Sequence, residues 1–118
     1  MSIYVYKDLK GQCPFLQWLD QIKVSDKTVF NKINYYLDLM STNQLPLVKP
    51  NVKKTPTRRT NCSCLYKLRI GKYRLFFLFK NNNYYLFHCF RKTTQKTPNK
   101  EFTKVKREIN TNIYIKYL

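Results

Sequence analysis

The chain has 118 residues, which is short enough for one domain, and its net charge is +17, from 23 Lys and Arg against 6 Asp and Glu. The first eight residues lack the basic start and long apolar run of a signal peptide, and no apolar stretch is long enough to span a bilayer. We therefore expect one domain over residues 1–118, a cytoplasmic location and no membrane partner.

The positive charge is concentrated in the middle of the chain. Residues 39–100 carry fourteen basic and no acidic side chains, whereas residues 1–38 carry five basic and four acidic. A block of this kind repels itself and is typical of proteins that bind a polyanion, with nucleic acid as the first candidate. The central strands contain no carboxylate, which disfavours a two-metal mechanism because hard divalent cations need carboxylate oxygens.

The cysteines predict no metal site. A zinc centre would need Cys62, Cys64, His88 and Cys89 to converge, and their spacing matches no common zinc pattern. We expect reduced, partly buried thiols, and we predict no cofactor.

The first half of the chain predicts one strand and two helices. Residues 3–6 alternate weakly as a strand does, Pro14 suits the first turn of a helix, and Ser25 is a plausible N-cap for a second helix. Apolar side chains recur at helical spacing in both: Phe15, Leu16, Leu19 and Ile22, then Val29, Phe30, Ile33, Leu37 and Met40. Residues 41–61 contain three prolines and read mostly as a loop with basic side chains.

The stretch 65–97 predicts three antiparallel strands. Gly71-Lys72 suits a two-residue type II′ turn, which places Arg69 opposite Arg74. Residues 81–83 read as a three-residue turn that pairs Lys80 with Tyr84, and so Arg74 with Phe90. One face is then uncharged and receives the two helices: Tyr66, Leu68, Ile70, Tyr73, Leu75, Phe77, Phe79, Tyr85, Phe87 and Cys89.

The other face mixes cations with aromatic rings and is expected to stay uncovered. It carries Lys67, Arg69, Arg74, Phe76, Leu78, His88, Phe90 and Lys92. Like charges directly opposite each other destabilise a sheet, and no carboxylate in the sheet compensates for Arg69 and Arg74. This face therefore predicts an anion site.

The C-terminal part of the chain predicts two more elements. Thr97-Pro98 suits the start of a third helix, and residues 110–118 alternate as an edge strand or a partner-binding tail.

The runs LYKLR, YRLFF and LFHCFRKTTQKTP resemble the RelE/HigB superfamily of bacterial type II toxins, most closely the HigB-like, phage-derived Gp49-like branch. The resemblance covers nearly the whole chain. It implies a small α+β fold, with two N-terminal helices packed on one face of an antiparallel sheet and a C-terminal helix. It also implies metal-independent cleavage of mRNA in the ribosomal A site, inhibition of translation, and neutralisation by a helix-turn-helix antitoxin of the HigA type.

The resemblance also assigns roles to residues. Arg74 falls on the arginine of the family's YR motif, and Arg91, Lys92 and Lys96 fall in its basic run after the last strand. Lys67 departs from the HigB-like branch, which usually has Glu there, and agrees with the classical RelE branch, which has a catalytic Lys.

Metal-free RNA cleavage must deprotonate the 2′-hydroxyl, stabilise the phosphorane and protonate the 5′-oxygen. The paired N–H donors of an arginine guanidinium match the oxygens of a phosphate and stabilise its charge. Either Lys67 or His88 could move the protons, with Lys67 slightly favoured by the resemblance. The catalytic candidates are Lys67, Arg69, Arg74, His88 and Lys92. The RNA-binding candidates are Lys53, Lys54, Phe76, Phe90, Arg91 and Lys96, with the two phenylalanines stacking on a base.

Two other functions fit the same residues. A non-catalytic nucleic-acid-binding module would also use basic strands and aromatic rings, but it would never cut RNA. A phage-derived host-interaction protein with a degenerate site would keep its effect on cells when Arg74 is replaced by Ala.

Overall fold

The computed structural model describes residues 2–118 as a mixed sheet with helices on both faces. The elements are β1 (Ile3–Tyr6), α1 (Pro14–Ser25), α2 (Lys27–Ser41), β2 (Val52–Lys54), α3 (Thr57–Thr60), β3 (Leu65–Ile70), β4 (Tyr73–Lys80), β5 (Asn83–Arg91), α4 (Asn99–Thr111) and β6 (Tyr114–Lys116). The strand order is β2-β3-β4-β5-β1-β6. The predicted α+β class is confirmed, but β1 pairs with β5 in parallel, so the sheet is not wholly antiparallel.

The helices α1 and α2 cover one face of the sheet, as their apolar stripes predicted. Pro14 occupies the first turn of α1, where its missing N–H costs no hydrogen bond. The N-cap of α2 is Asp26, whose carboxylate accepts a hydrogen bond from the backbone N–H of Val29 at 3.1 Å. The prediction of Ser25 as the cap was wrong by one residue, because the Ser25 hydroxyl donates backward to the carbonyl oxygen of Gln21.

The segment 41–61 is less irregular than its prolines indicated. Residues 52–54 form the edge strand β2, and residues 57–60 form the short helix α3. Val52 is buried in the core between the sheet and the helices α1 and α2, which we call the first core and which includes Ile33, Leu68 and Leu75. This burial fixes β2 against β3. The strand is only three residues long, so it leaves almost no periodic signal in the sequence.

The first hairpin of the central sheet has the predicted register. Arg69 lies opposite Arg74 and Ile70 opposite Tyr73, and Gly71 has a φ of +58°. A side chain at a positive φ is strained, so glycine is the residue that this turn favours.

The second hairpin has a different turn from the one predicted. Asn81 and Asn82 both have positive φ, which gives a two-residue turn that pairs Lys80 with Asn83. A register shift between Leu75 and Phe77 then places one extra residue on β5. Arg74 therefore still lies opposite Phe90, as predicted, although the pairing nearer the turn is displaced by one residue.

The second face of the sheet is not uniformly open, contrary to the prediction. α4 packs on its β4–β5 half through Phe102 and Val105 and creates a second core. That core includes Tyr6, Leu65, Phe76, Leu78, Phe87 and Phe90. The sequence predicted Tyr85 and Phe87 on the face that α1 and α2 cover. The two-residue turn shifts both side chains to the second face.

Two further expectations concern the C-terminal part. The side chain of Thr97 does not cap α4, which begins at Asn99 after Pro98, because the Thr97 hydroxyl accepts a hydrogen bond from Lys67 instead. Residues 114–116 form the edge strand β6, antiparallel to β1, as one of the two interpretations of the tail predicted.

Candidate functional site

The half of the second face that α4 leaves open carries a cluster of cations. Lys53 of β2 lies opposite Lys67 of β3, and Arg69 of β3 lies opposite Arg74 of β4. Lys92 follows β5 directly, and its backbone N–H donates to the carbonyl oxygen of Lys72 at 2.8 Å. The sheet thus brings five cations from four different stretches of the chain to one place.

These side chains line two adjoining depressions. The smaller, of about 160 Å³, is lined by Pro50, Asn51, Lys53, Lys67, Arg69, Arg74 and Lys92. The larger, of about 600 Å³, extends toward α3 and α4, and Lys53, Lys67 and Lys92 border both. Within residues 2–118, no carboxylate lines either depression. We call the smaller one the arginine pocket and the larger one the α3–α4 cavity.

Lys67 is the cation whose chemistry the site changes most. Its Nζ donates to the hydroxyl oxygen of Thr97 at 2.6 Å. Partial burial lowers the pKa of Lys67 to about 8, and the positive charges of Lys92, Lys53 and Arg74 contribute to the lowering. A substantial fraction of this amine is therefore neutral near physiological pH and can accept a proton.

The neighbouring cations show the same crowding. The Arg74 guanidinium donates to the carbonyl oxygens of Gly71 and Tyr73, both at 2.8 Å, which fixes its orientation. Burial, and then the charge of Arg69, lowers the pKa of Arg74. Burial also lowers the pKa of Lys92, with Arg74, Lys53 and Arg69 contributing. Burial is the main cause of both pKa shifts, and the neighbouring positive charges add to it. A bound phosphate would neutralise this cluster of positive groups.

The structure removes three candidates from this site. His88, Phe76 and Phe90 are 1%, 0% and 8% exposed, and all three lie beneath α4. Base stacking on the two phenylalanines and proton transfer by His88 were therefore wrong predictions. The sequence places these residues on the correct face, but nothing in it indicates which half of that face α4 covers.

His88 has a different role, which sequence reasoning missed. Its Nδ1 lies 2.6 Å from a carboxylate oxygen of Glu108, and its Nε2 lies 3.0 Å from one of Glu101. Both glutamates belong to α4, and Glu108 is only 3% exposed. These two contacts tie α4 to β5 through the buried His88 ring.

The cysteines do not gather around His88 as a zinc centre would require. The Cys62 and Cys64 sulfur atoms lie 3.7 Å apart at the edge of the second core, while Cys89 packs against the first core. In the part of the chain that the structure describes, no group of three His, Cys, Asp or Glu side chains is placed to hold a metal ion.

The remaining candidates divide between the cavity and the outer surface. Lys54 and Lys96 line the α3–α4 cavity, whereas Arg91 is exposed opposite Tyr73 and lines neither depression. Sequence reasoning assigned no site role to Thr97 or Phe102, and it considered Arg59 only as one of several loop cations that could hold phosphates. All three side chains line the cavity. The sequence showed Arg58 and Arg59 only as two positive charges in a predicted loop. Their position close to α4 depends on the helix α3, which the sequence did not predict.

The fold is similar to that of a known class of toxins. Two solved structures, both of YoeB–YefM from Staphylococcus aureus and one described as a heterotetrameric toxin–antitoxin complex, match with a TM-score of 0.53 each. Identity is 18% and 17%, and each match covers 80% of this chain and 98% of the other. The protein therefore has the RelE-like toxin fold that YoeB has.

A family comparison makes the assignment narrower. Residues 18–110 match the family described as Phage derived protein Gp49-like (DUF891), so the chain belongs to that family, which is of the RelE/HigB toxin type. The comparison with curated proteins gives no match. Among residues 2–118, no helix is both long enough and apolar enough to cross a membrane.

Proposed function

We propose that this protein is the toxin of a type II toxin–antitoxin system and that it inhibits translation by cleaving mRNA in the ribosomal A site without a metal ion. Its antitoxin would be a helix-turn-helix protein of the HigA type, and toxin and target would meet in the cytoplasm. The observation that carries the proposal is the arginine pocket, where two arginines and a lysine with a pKa of about 8 share an open depression. Family membership and the RelE-like fold support it, because toxins of the RelE and YoeB type are endoribonucleases.

The chemistry follows from these side chains. Neutral Lys67 removes the proton of the 2′-hydroxyl, whose oxygen attacks the adjacent phosphorus while the bond to the 5′-oxygen breaks. Arg69 and Arg74 stabilise the negative charge that develops on the phosphorane oxygens, since the guanidinium fork matches phosphate geometry. Lys92, in its protonated form, gives a proton to the departing 5′-oxygen. The products are a 2′,3′-cyclic phosphate and a 5′-hydroxyl.

The rate should rise with pH until most of Lys67 is neutral. Because its pKa is lowered to about 8, we expect the logarithm of the cleavage rate to increase between about pH 6.5 and pH 8 and then to level off. Single-turnover cleavage on stalled ribosomes across this range measures the profile. Lys67→Arg keeps the charge but stays protonated, so its residual activity should lose this rise. A profile that falls toward pH 8 would contradict Lys67 as the base.

The proposed function is tested by incubating purified protein with mRNA, with and without translating ribosomes, at EDTA concentrations that ribosomes tolerate. We expect cuts only with ribosomes, unchanged by EDTA and ending in cyclic phosphates. Salt-sensitive RNA binding without any cut would favour the non-catalytic module instead. Toxicity in cells that persists after replacement of Arg74 would favour the host-interaction protein.

A further inference from the structure

We infer that the α3–α4 cavity is a second nucleotide subsite, which holds the nucleotide next to the cleaved bond and stacks its base on Arg59. This inference rests on the proposed function, because it extends the RNA path beyond the arginine pocket. A cavity of about 600 Å³ lies within the range of small-ligand sites and has room for a base, a sugar and a phosphate.

Arg59 offers an oriented planar surface inside this cavity. Its guanidinium carbon lies 4.3 Å from the centre of the Phe102 ring, and its Nη2 donates to the side-chain oxygen of Asn99. One face of the guanidinium is therefore covered by Phe102, and because Arg59 lines the cavity we place the base on the opposite face. A fixed guanidinium plane stacks on any nucleobase, and such stacking is how proteins commonly hold single-stranded RNA.

The rest of the lining suits the other parts of a nucleotide. Lys54, Arg58 and Lys96 are exposed cations that can meet a phosphate. Neutral polar side chains from the loop before α4 and from the first residue of α4 can donate to or accept from a base or ribose: Thr94, Gln95, Thr97 and Asn99. An apolar small molecule would gain nothing from this many charges.

The cavity is continuous with the arginine pocket. Lys53, Lys67 and Lys92 line both, so the same three ammonium groups face a ligand in either depression. An RNA chain whose scissile phosphate lies at Arg69 and Arg74 would therefore pass these lysines. The nucleotide next to that phosphate would then enter the cavity. An acidic peptide could use the same charges, but it has no need of the planar face of Arg59.

The decisive variant is Arg59→Lys, which keeps the positive charge and removes the plane. Its matched control is Arg107→Lys on the exposed surface of α4, a residue that lines neither depression. The probe is a single-stranded hexaribonucleotide that contains 2-aminopurine, whose fluorescence falls when the base stacks. Affinity, quenching at saturation and melting temperature are measured for the full chain and each variant.

We expect Arg59→Lys to weaken binding about tenfold and to reduce the quenching, while Arg107→Lys stays within about twofold of the unchanged protein. Lys96→Ala, on an exposed loop, should weaken binding without altering the melting temperature, so the inference stays testable if Arg59→Lys unfolds. Unchanged affinity and quenching in a folded Arg59→Lys would overturn the subsite, even if ribosome-dependent cleavage persists. If Arg59→Lys unfolds, unchanged affinity in Lys96→Ala would overturn it. If the unchanged protein neither binds the probe nor cuts mRNA, both the subsite and the proposed function are overturned, whereas cleavage without probe binding overturns the subsite alone.

Discussion

Replacing Arg74 with alanine is expected to reduce ribosome-dependent mRNA cleavage by about 10²–10³-fold, the usual effect of removing a donor that stabilises transition-state charge. Its guanidinium is held by the carbonyl oxygens of Gly71 and Tyr73, so it is already oriented before RNA arrives. Arg74→Lys keeps the charge but lacks the fork, and it should retain an intermediate rate. Single-turnover cleavage on the ribosome measures all three proteins.

The same substitution should not destabilise the fold. Arg69 and Arg74 are like charges directly opposite each other, and relieving such a pair is worth a few tenths to about 1 kcal/mol. The free energy of unfolding of Arg74→Ala should therefore stay equal or rise slightly in urea titrations. Lys80→Ala removes the same charge from the other end of β4 and should leave cleavage unchanged. Full activity in Arg74→Ala would contradict the proposed mechanism.

The predicted pairing of Arg69 with Arg74 is confirmed because the hairpin that contains both residues is locally determined. Gly71 dictates a two-residue turn, and that turn alone fixes Arg69 opposite Arg74. The predicted pairing of Arg74 with Phe90 is also correct, although the turn from which it was predicted is not the one in the structure. The predicted three-residue turn supplied one extra residue that the structure instead places in a β5 bulge.

The sequence could not predict which half of the second face α4 covers and which half stays open. The row formed by Lys53, Lys67 and Phe76 crosses from the open half into the second core over three neighbouring strands. The alternation along one strand cannot show this, because the boundary runs across the strands and is set by where α4 docks. The stripe of α4 also ends in Glu108, a buried carboxylate that a purely apolar pattern does not predict.

Replacing His88 with alanine is expected to cost about 3–5 kcal/mol in the free energy of unfolding, the usual effect of truncating a large ring in a packed core, because His88 is buried. Glu108 would remain buried without its hydrogen-bond partner, and Glu101 would lose its contact with Nε2. The melting temperature should fall by about 10 °C or more, measured by circular dichroism. Loss of toxicity in this variant would then follow from unfolding and not from a missing base.

A double-mutant cycle separates this explanation from a catalytic one. Adding Glu108→Gln to His88→Ala replaces the stranded carboxylate with a neutral amide, so it should restore part of the lost stability. Glu108→Gln alone should destabilise the protein, because it weakens the 2.6 Å contact with Nδ1. If His88→Ala melted at the same temperature as the unchanged protein and still lost cleavage, the histidine would have to act on RNA despite its 1% exposure. Recovery of stability in the double variant would instead establish that the contact between His88 and Glu108 attaches α4 to the sheet.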